Sequence, residues 1–390
     1  MRIPYKNRIV LAGVIVNLLA MFDLAVCSLL SIYLIMQYQQ SLTSSVVMLM
    51  LSIAVLVYLS CAIGAIVLGV CSDVYGRKKI VSLSLIIMSI ATAGIVLLLP
   101  NAYQNMGSLS ILLLLCCMQS FYFGFTSVNV GSFVIESSDI PDRGFIGSWS
   151  AFGTILGLLL ASVMMFMLVE FVHLYPQAQW WLWRLPLLLA VFGVILGYYI
   201  RTRLPESLDY ILHYGLNTRS NVFLILKQAL IYLSNNIKKC FYVLLFNILN
   251  ILMIGLVYIY PLIHIQIYKI FNIISIIFSD LVSLYIMVSV LPIIGKLVDI
   301  INRNKIILYT AISFIILLLP FFYFLCYKHL LFFMLIQAVI ALPIAGYLAT
   351  LPVILTEMFP LELRCTLLGI IYAVAVSVVV SVICVLLYKH

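Results

Sequence analysis

Residues 69–79 read Gly69-Val70-Cys71-Ser72-Asp73-Val74-Tyr75-Gly76-Arg77-Lys78-Lys79, and residues 295–305 repeat their spacing. The second stretch runs Gly295-x-x-x-Asp299-x-x-Asn302-Arg303-Asn304-Lys305. Gly76 and Asn302, residue types that tolerate left-handed backbone, occupy the same turn position. A second pair of loops follows: Glu136…Pro141-Asp142-Arg143 and Glu357…Pro360…Arg364, with Glu seven residues before Arg in each. The later copies lie 226 and 221 residues after the earlier ones. In a chain only 8% charged, agreement at so many charged positions marks an internal repeat. The chain is built from two related halves.

Working outward from these loops, the intervening sequence is apolar. Of the 390 residues 66% are hydrophobic, and the mean hydropathy is +1.26. A soluble chain carries roughly a quarter charged residues, so a water-facing surface cannot be built here. The apolar residues lie in runs of the length, about 20 residues, that a helix needs to cross the hydrocarbon core. They lack the period-2 alternation of barrel strands, the other structure that satisfies its backbone in lipid. We therefore expect an all-α membrane protein with eleven spans, at about 9–36, 46–70, 80–99, 108–135, 145–170, 183–200, 240–262, 272–294, 306–325, 330–355 and 365–388. The first run is too long for a signal-peptide core and has no small-residue cleavage site after it, so it is expected to remain as a span.

Basic residues in short loops orient such a chain. With the N-terminus in the cytoplasm, seventeen of the 21 Lys and Arg residues fall inside, and only Arg184, Lys269, Lys328 and Lys389 fall outside. The net charge of +9 is this bias, and no nucleic-acid partner is needed to explain it. The longest polar stretch, Arg201 to Lys239, lies inside and divides the chain into 1–200, a six-helix bundle, a linker at 201–239, and 240–390, a five-helix bundle. The second half ends one span after Arg364, so a twelfth helix is expected to be missing. Lys389-His390 would then lie outside, Ser377 or Ser381 would lack their usual partners, and transport would be weak or absent until a twelfth helix is supplied.

The repeated loops suggest a physical task. A carboxylate just past one helix can cap the N-terminus of another, where the dipole favours negative charge. Asp73 is expected to serve span eleven in this way and Asp299 span five, with Arg77 reaching Glu136 and Arg303 reaching Glu357. Arg143 and Arg364 complete a set that would latch the halves on the cytoplasmic side and release when that side opens. The plainer alternative is a set of ordinary positive-inside loops. Small residues at i, i+4, i+8 point to the same pairing of spans two with eleven and five with eight: Cys61/Ala65/Gly69, Gly153/Gly157/Ala161, Ser275/Ser279/Ser283 and Ala373/Ser377/Ser381.

The loop at 69–79 resembles the signature of the major facilitator superfamily, and the resemblance extends over essentially the whole chain. Trp183-Arg184-Leu185-Pro186, Arg203-Leu204-Pro205-Glu206-Ser207 and Thr356-Glu357-Met358-Phe359-Pro360 with Arg364 look like the metabolite:proton symporter branch, whose best-known members are proline/betaine transporters. The resemblance implies a two-bundle fold, alternating access, a proton as coupling ion, a monomer and a bacterial cytoplasmic membrane. In the first span Asn17 and Asp23 match the branch pattern, but Ala20 and Met21 stand where Glu and Trp are usual, and Ala373 stands where Asn often follows the Tyr372 position. Two alternatives stay open: a truncated, non-transporting remnant or sensor, and a sugar-porter-like facilitator.

An ionised side chain at the bilayer centre costs roughly 2.5–3.5 kcal/mol on insertion scales, so carboxylates at depth are candidates for function. Asp23 lies mid-span and could bind an ammonium or take up a proton; Asp280 is a second candidate, and Glu170 is placed at the interface. No Lys or Arg lies deep in a span, which favours a zwitterionic or neutral solute over a di- or tricarboxylate. Phe121, Tyr122, Phe123, Tyr258 and Tyr260 could hold a quaternary ammonium by cation–π attraction, or simply pack. Asn17, Gln119, Asn129, Asn247, Asn250 and Gln337 are polar at membrane depth and are expected to face a cavity or another helix. Nine cysteines are scattered with no Cys-x-x-Cys and no Cys/His cluster, so neither a metal site nor a cofactor is expected. With no phosphate-binding Gly-x-x-x-x-Gly-Lys-Ser/Thr and five dispersed histidines, neither an ATP-driven pump nor a membrane enzyme is indicated.

Overall fold

The computed structural model describes residues 6–38, 44–97, 106–175, 181, 184–189, 192–214, 221–261, 273–326 and 329–388. Among these, no strand occurs and eleven helices are long and apolar enough to cross a membrane. In order they are Lys6–Tyr38, Ser44–Tyr75, Arg77–Leu97, Met106–Ile135, Arg143–Leu174, Phe192–Arg203 with Arg184–Leu188 before it, Ile237–Ile254, Ile273–Ile300, Arg303–Cys326, Leu330–Met358 and Arg364–Tyr388. We refer to them as spans one to eleven. The expectation for Lys389-His390 lies outside the described residues.

The repeat is visible in the backbone. Spans two and three meet at Gly76, whose φ of 100° is a left-handed conformation that a side chain would strain. A Cβ there would also lie 2.5 Å from the Glu206 carboxylate. At the corresponding turn Asn302 caps span nine, its Oδ1 accepting from Asn304 N at 3.0 Å. The second pair of loops forms the same short 3-10 turn twice, Ile140–Asp142 before span five and Leu361–Leu363 before span eleven. Proline placed early in each turn disfavours a continuing helix and pre-sets the backbone for a new one.

Span one packs on five, two on four, and three on four and six. Later in the chain eight packs on ten, nine on ten, and seven on eleven. Spans five with eight, two with eleven, and ten with four and five join these two groups. Two helices of the stretch read from the sequence as a linker pack on the spans. The helix Leu208–Tyr214 lies on the ends of spans two and four, and the helix Val222–Asn235 packs through Ile225 and Ala229 against spans two and eleven.

The small-residue stripes divide differently from the expected pairing. Gly153 and Gly157 face span one, where a Cβ would lie 2.3 Å from the Val14 and Leu18 carbonyls, rather than span eight. Ser279 and Ser283 bond to spans ten and seven, rather than facing span five. The stripe on span two does meet span eleven at Gly69 and Ala65, where Gly369 lies against the Ala65 carbonyl. Only a helix pair with no side chain between the backbones approaches this closely. Ser377 and Ser381 bond back to the Ala373 and Ser377 carbonyls of their own helix at 2.8 and 2.7 Å, and no bond from either to another helix occurs among the described residues.

Candidate functional site

The repeated loops condense into one network. The Asp73 carboxylate, 1% exposed, accepts from Thr366 N at 2.8 Å, Thr366 Oγ1 at 2.7 Å and Cys365 N at 3.3 Å. These N–H groups open span eleven and have no partner within their helix, so a buried anion there meets both the dipole and the unpaired donors. Asp299 does the same for span five, accepting from Gly144 N at 2.6 Å and Phe145 N at 2.8 Å. Each half thus caps a helix of the other.

Arg77 is as buried as Asp73. It forms an ion pair with Glu136, lies 3.5 Å from Asp73, donates to the Leu361 carbonyl at 2.9 Å and stands 5.0 Å from the centre of the Tyr210 ring. Glu136 also takes Arg364 from the other half at 2.6 Å and the Ser207 hydroxyl at 3.0 Å. In the second copy Arg303 pairs with Glu357 and lies 3.8 Å from Asp299. That copy is open: the Arg303 and Glu357 side chains are 23% and 36% exposed, against 1% for both Arg77 and Glu136.

Arg143 departs from the expected symmetry. It bonds Asp209 at 2.9 Å, in the short helix after span six, and so does not cross to the other half as Arg364 does. The physical reason is local: Asp209 N donates to the Glu136 carbonyl at 3.3 Å, which sets the acidic side chain beside Arg143. Pattern reasoning also missed the rest of this segment. Glu206 accepts from Lys78 N at 2.8 Å, Lys78 Nζ donates to the Leu204 carbonyl at 2.9 Å, and Tyr210 donates to the Asp73 carbonyl oxygen at 3.3 Å. The signal was present in Arg203-Leu204-Pro205-Glu206-Ser207, a motif without an assigned task.

Deeper in the chain, Asp23 is 1% exposed and accepts from Thr92 Oγ1 of span three at 2.5 Å. Gln119 of span four donates to Thr92 at 3.2 Å and to the Cys27 sulfur at 3.4 Å. Asp23 points among spans one, three and four. Asn17 pins span one to span five, donating to the Ser150 carbonyl at 3.1 Å and its hydroxyl at 2.7 Å. Thr92 and Ser150 carry no pattern that would single them out among many membrane hydroxyls.

In the second half Asp280, Gln337, Ser279, Tyr258 and Ser283 come together across spans seven, eight and ten. Asn247 bonds the Val243 carbonyl of its own helix at 2.9 Å. Tyr122 stacks edge-on against Phe121 within the first-half core, whereas Phe123 packs against the core shared with the second half. The Asn129 amide, 1% exposed, has no hydrogen-bond partner at either end, and neither has the Asn250 carbonyl oxygen. No group of metal-ligating side chains occurs among the described residues.

A family model for the Major Facilitator Superfamily matches residues 13–383. The chain belongs to that superfamily. A protein of Staphylococcus haemolyticus named for proline/betaine transport is 30% identical over 320 residues, covering 81% of this chain and 66% of the relative. The proline/betaine transporter of Salmonella typhimurium is 37% identical over 147 residues, covering 37% of this chain and 29% of the relative. The matches thus span less than two thirds of these curated relatives. Among solved structures, a double-tryptophan mutant of XylE superposes with a TM-score of 0.75 at 17% identity, covering 96% of this chain and 87% of that one. FucP in its outward conformation gives 0.66 at 15%, covering 95% and 90%. This major facilitator chain is a multi-pass membrane protein.

Proposed function

We propose that this chain moves a small zwitterionic or neutral solute of the proline/betaine kind across the bacterial cytoplasmic membrane by alternating access, coupled to protons. Residues 1–200 and 240–390 act as the two moving halves, joined by 201–239, with the N-terminus in the cytoplasm. The observation that carries the alternating-access part is the reciprocal capping, Asp73 onto span eleven and Asp299 onto span five. Both bonds cross between the halves at their cytoplasmic ends. They hold that side shut and must break for it to open.

The solute class rests on the names of the relatives and on the charge at depth. Asp23 and Asp280 are the buried acids well within the spans, with no Lys or Arg paired to either among the described residues. Spans that offer no cation at depth suit a zwitterionic or neutral solute rather than an anionic one.

The test is uptake by proteoliposomes of labelled proline, glycine betaine and xylose, with and without an imposed proton gradient. Accumulation of proline or betaine that collapses with a protonophore supports the proposal. Accumulation of xylose alone would reassign the solute, and gradient-independent equilibration would remove the proton coupling.

A further inference from the structure

Asp280 sits in span eight with 5% exposure, and the groups around it are neutral. Span ten presents Gln337, whose Nε2 donates to Asp280 Oδ1 at 2.5 Å and to the Val257 carbonyl at 3.3 Å. The Gln337 side-chain carbonyl in turn accepts the Ser279 hydroxyl. Span seven presents Tyr258, whose oxygen lies 3.3 Å from the Ser283 hydroxyl and 2.9 Å from the Met287 sulfur. Both Val257 and Tyr258 belong to a π-helical turn, Gly255–Ile259, set into span seven.

These bonds leave Gln337 little freedom. Both N–H groups and its carbonyl oxygen are engaged, and the residue is fully enclosed. The amide therefore ties the carboxyl of one helix to the backbone of another. No Lys or Arg pairs with Asp280 among the described residues, and a buried carboxylate with amide donation alone is costly, whereas a carboxylic acid is not. A π turn carries one residue too many for the α-helical ladder, so it persists only where neighbours hold its backbone.

We infer that Asp280 is a proton-carrying site of the second half, and that Gln337 transmits its state to the π-helical turn of span seven. With the proton on Asp280, the network stands as found and Gln337 holds the Val257 carbonyl. When the proton leaves the carboxyl oxygen for water on the side then open, the anion draws the amide to itself and frees Val257. Span seven is then released to relax toward a regular helix. Only the O–H bond breaks, and the proton passes to water. This deepens the proposed function, since it rests on transport being driven by protons.

Two measurements on the full chain in liposomes test it. Infrared spectra should contain a carbonyl stretch from a buried carboxylic acid, one component of which disappears in Asp280→Asn and returns in Asp280→Glu. If no component is lost, the inference falls, whatever the transport data show. In transport, Asp280→Asn should lower proton-driven accumulation by about tenfold or more, and Asp280→Glu should restore part of it. Unchanged accumulation in a protein that still folds would overturn it. Should the unaltered protein show counterflow but no response to a proton gradient, proton coupling is what fails, and the infrared component still decides whether Asp280 holds a proton.

Discussion

The Asp73 carboxylate accepts the backbone N–H of Thr366 at 2.8 Å across 293 residues of sequence. A side chain at the end of span two thereby completes the first turn of span eleven, in the opposite half. The bond is local in its chemistry and long in its reach, because it joins the end of one span to the start of another in the opposite half.

Asp73→Asn keeps the shape but removes the charge. A hydrogen bond to a charged group contributes roughly 1.5–3 kcal/mol, against about 1 for a neutral one, so the contact between spans two and eleven should lose on the order of 1–2 kcal/mol. Spectroscopic labels at the end of span two and the start of span eleven should report a larger open fraction. An unchanged distance distribution would show that the cap does not bias the equilibrium.

The two arginine copies should differ in weight. Arg77→Ala leaves Glu136 buried with half its compensation and is expected to cost about 3 kcal/mol or more. Arg303→Ala breaks a pair open to solvent and should cost below about 1 kcal/mol, less still at high salt. Thermal unfolding in detergent ranks them, and equal losses would contradict the burial difference.

Two glycines offer a matched contrast. Gly157→Ala places a Cβ 2.3 Å from the Leu18 carbonyl and should destabilise by about 1–3 kcal/mol through forced separation of spans one and five. Gly255→Ala meets nothing within 4 Å, and there the change should be neutral or stabilising by up to about 1 kcal/mol. Thermal unfolding is again the measurement, and a damaging Gly255→Ala would mean that the π turn itself is needed for stability.

Asp23→Asn keeps a partner for Thr92 and should insert and fold normally, yet proton-driven accumulation should fall by about tenfold or more if this carboxyl takes part in coupling. Normal accumulation would reduce Asp23 to a structural tie among spans one, three and four.

Much of this molecule could be read before any coordinates. A run of apolar residues long enough to cross lipid has no other stable use, which is why eleven expected spans correspond to eleven helices. Charged residues are so scarce that the spacing of Asp73, Arg77, Asp299 and Arg303 marks the repeat on its own. Apolar positions are a poorer guide, because leucine facing lipid and leucine facing protein have the same composition. Gly153 and Gly157 were therefore assigned to the wrong neighbour, since a stripe of small residues announces a close contact without naming the partner.

What the sequence by itself determined was the class, the number of spans, the two-fold repeat and the reach from Asp73 and Asp299 to distant helix starts. Each follows from the cost of polar groups in hydrocarbon, which acts residue by residue and leaves its pattern in the chain. Only the tertiary structure decided that Arg143 turns to Asp209 while Arg364 crosses to Glu136, that Asp23 points toward Thr92, and that Gln337 joins Asp280 to the π turn of span seven. Those choices depend on which side chains share a few ångströms once the helices have packed, and hydrogen bonding over such distances has no counterpart in linear spacing.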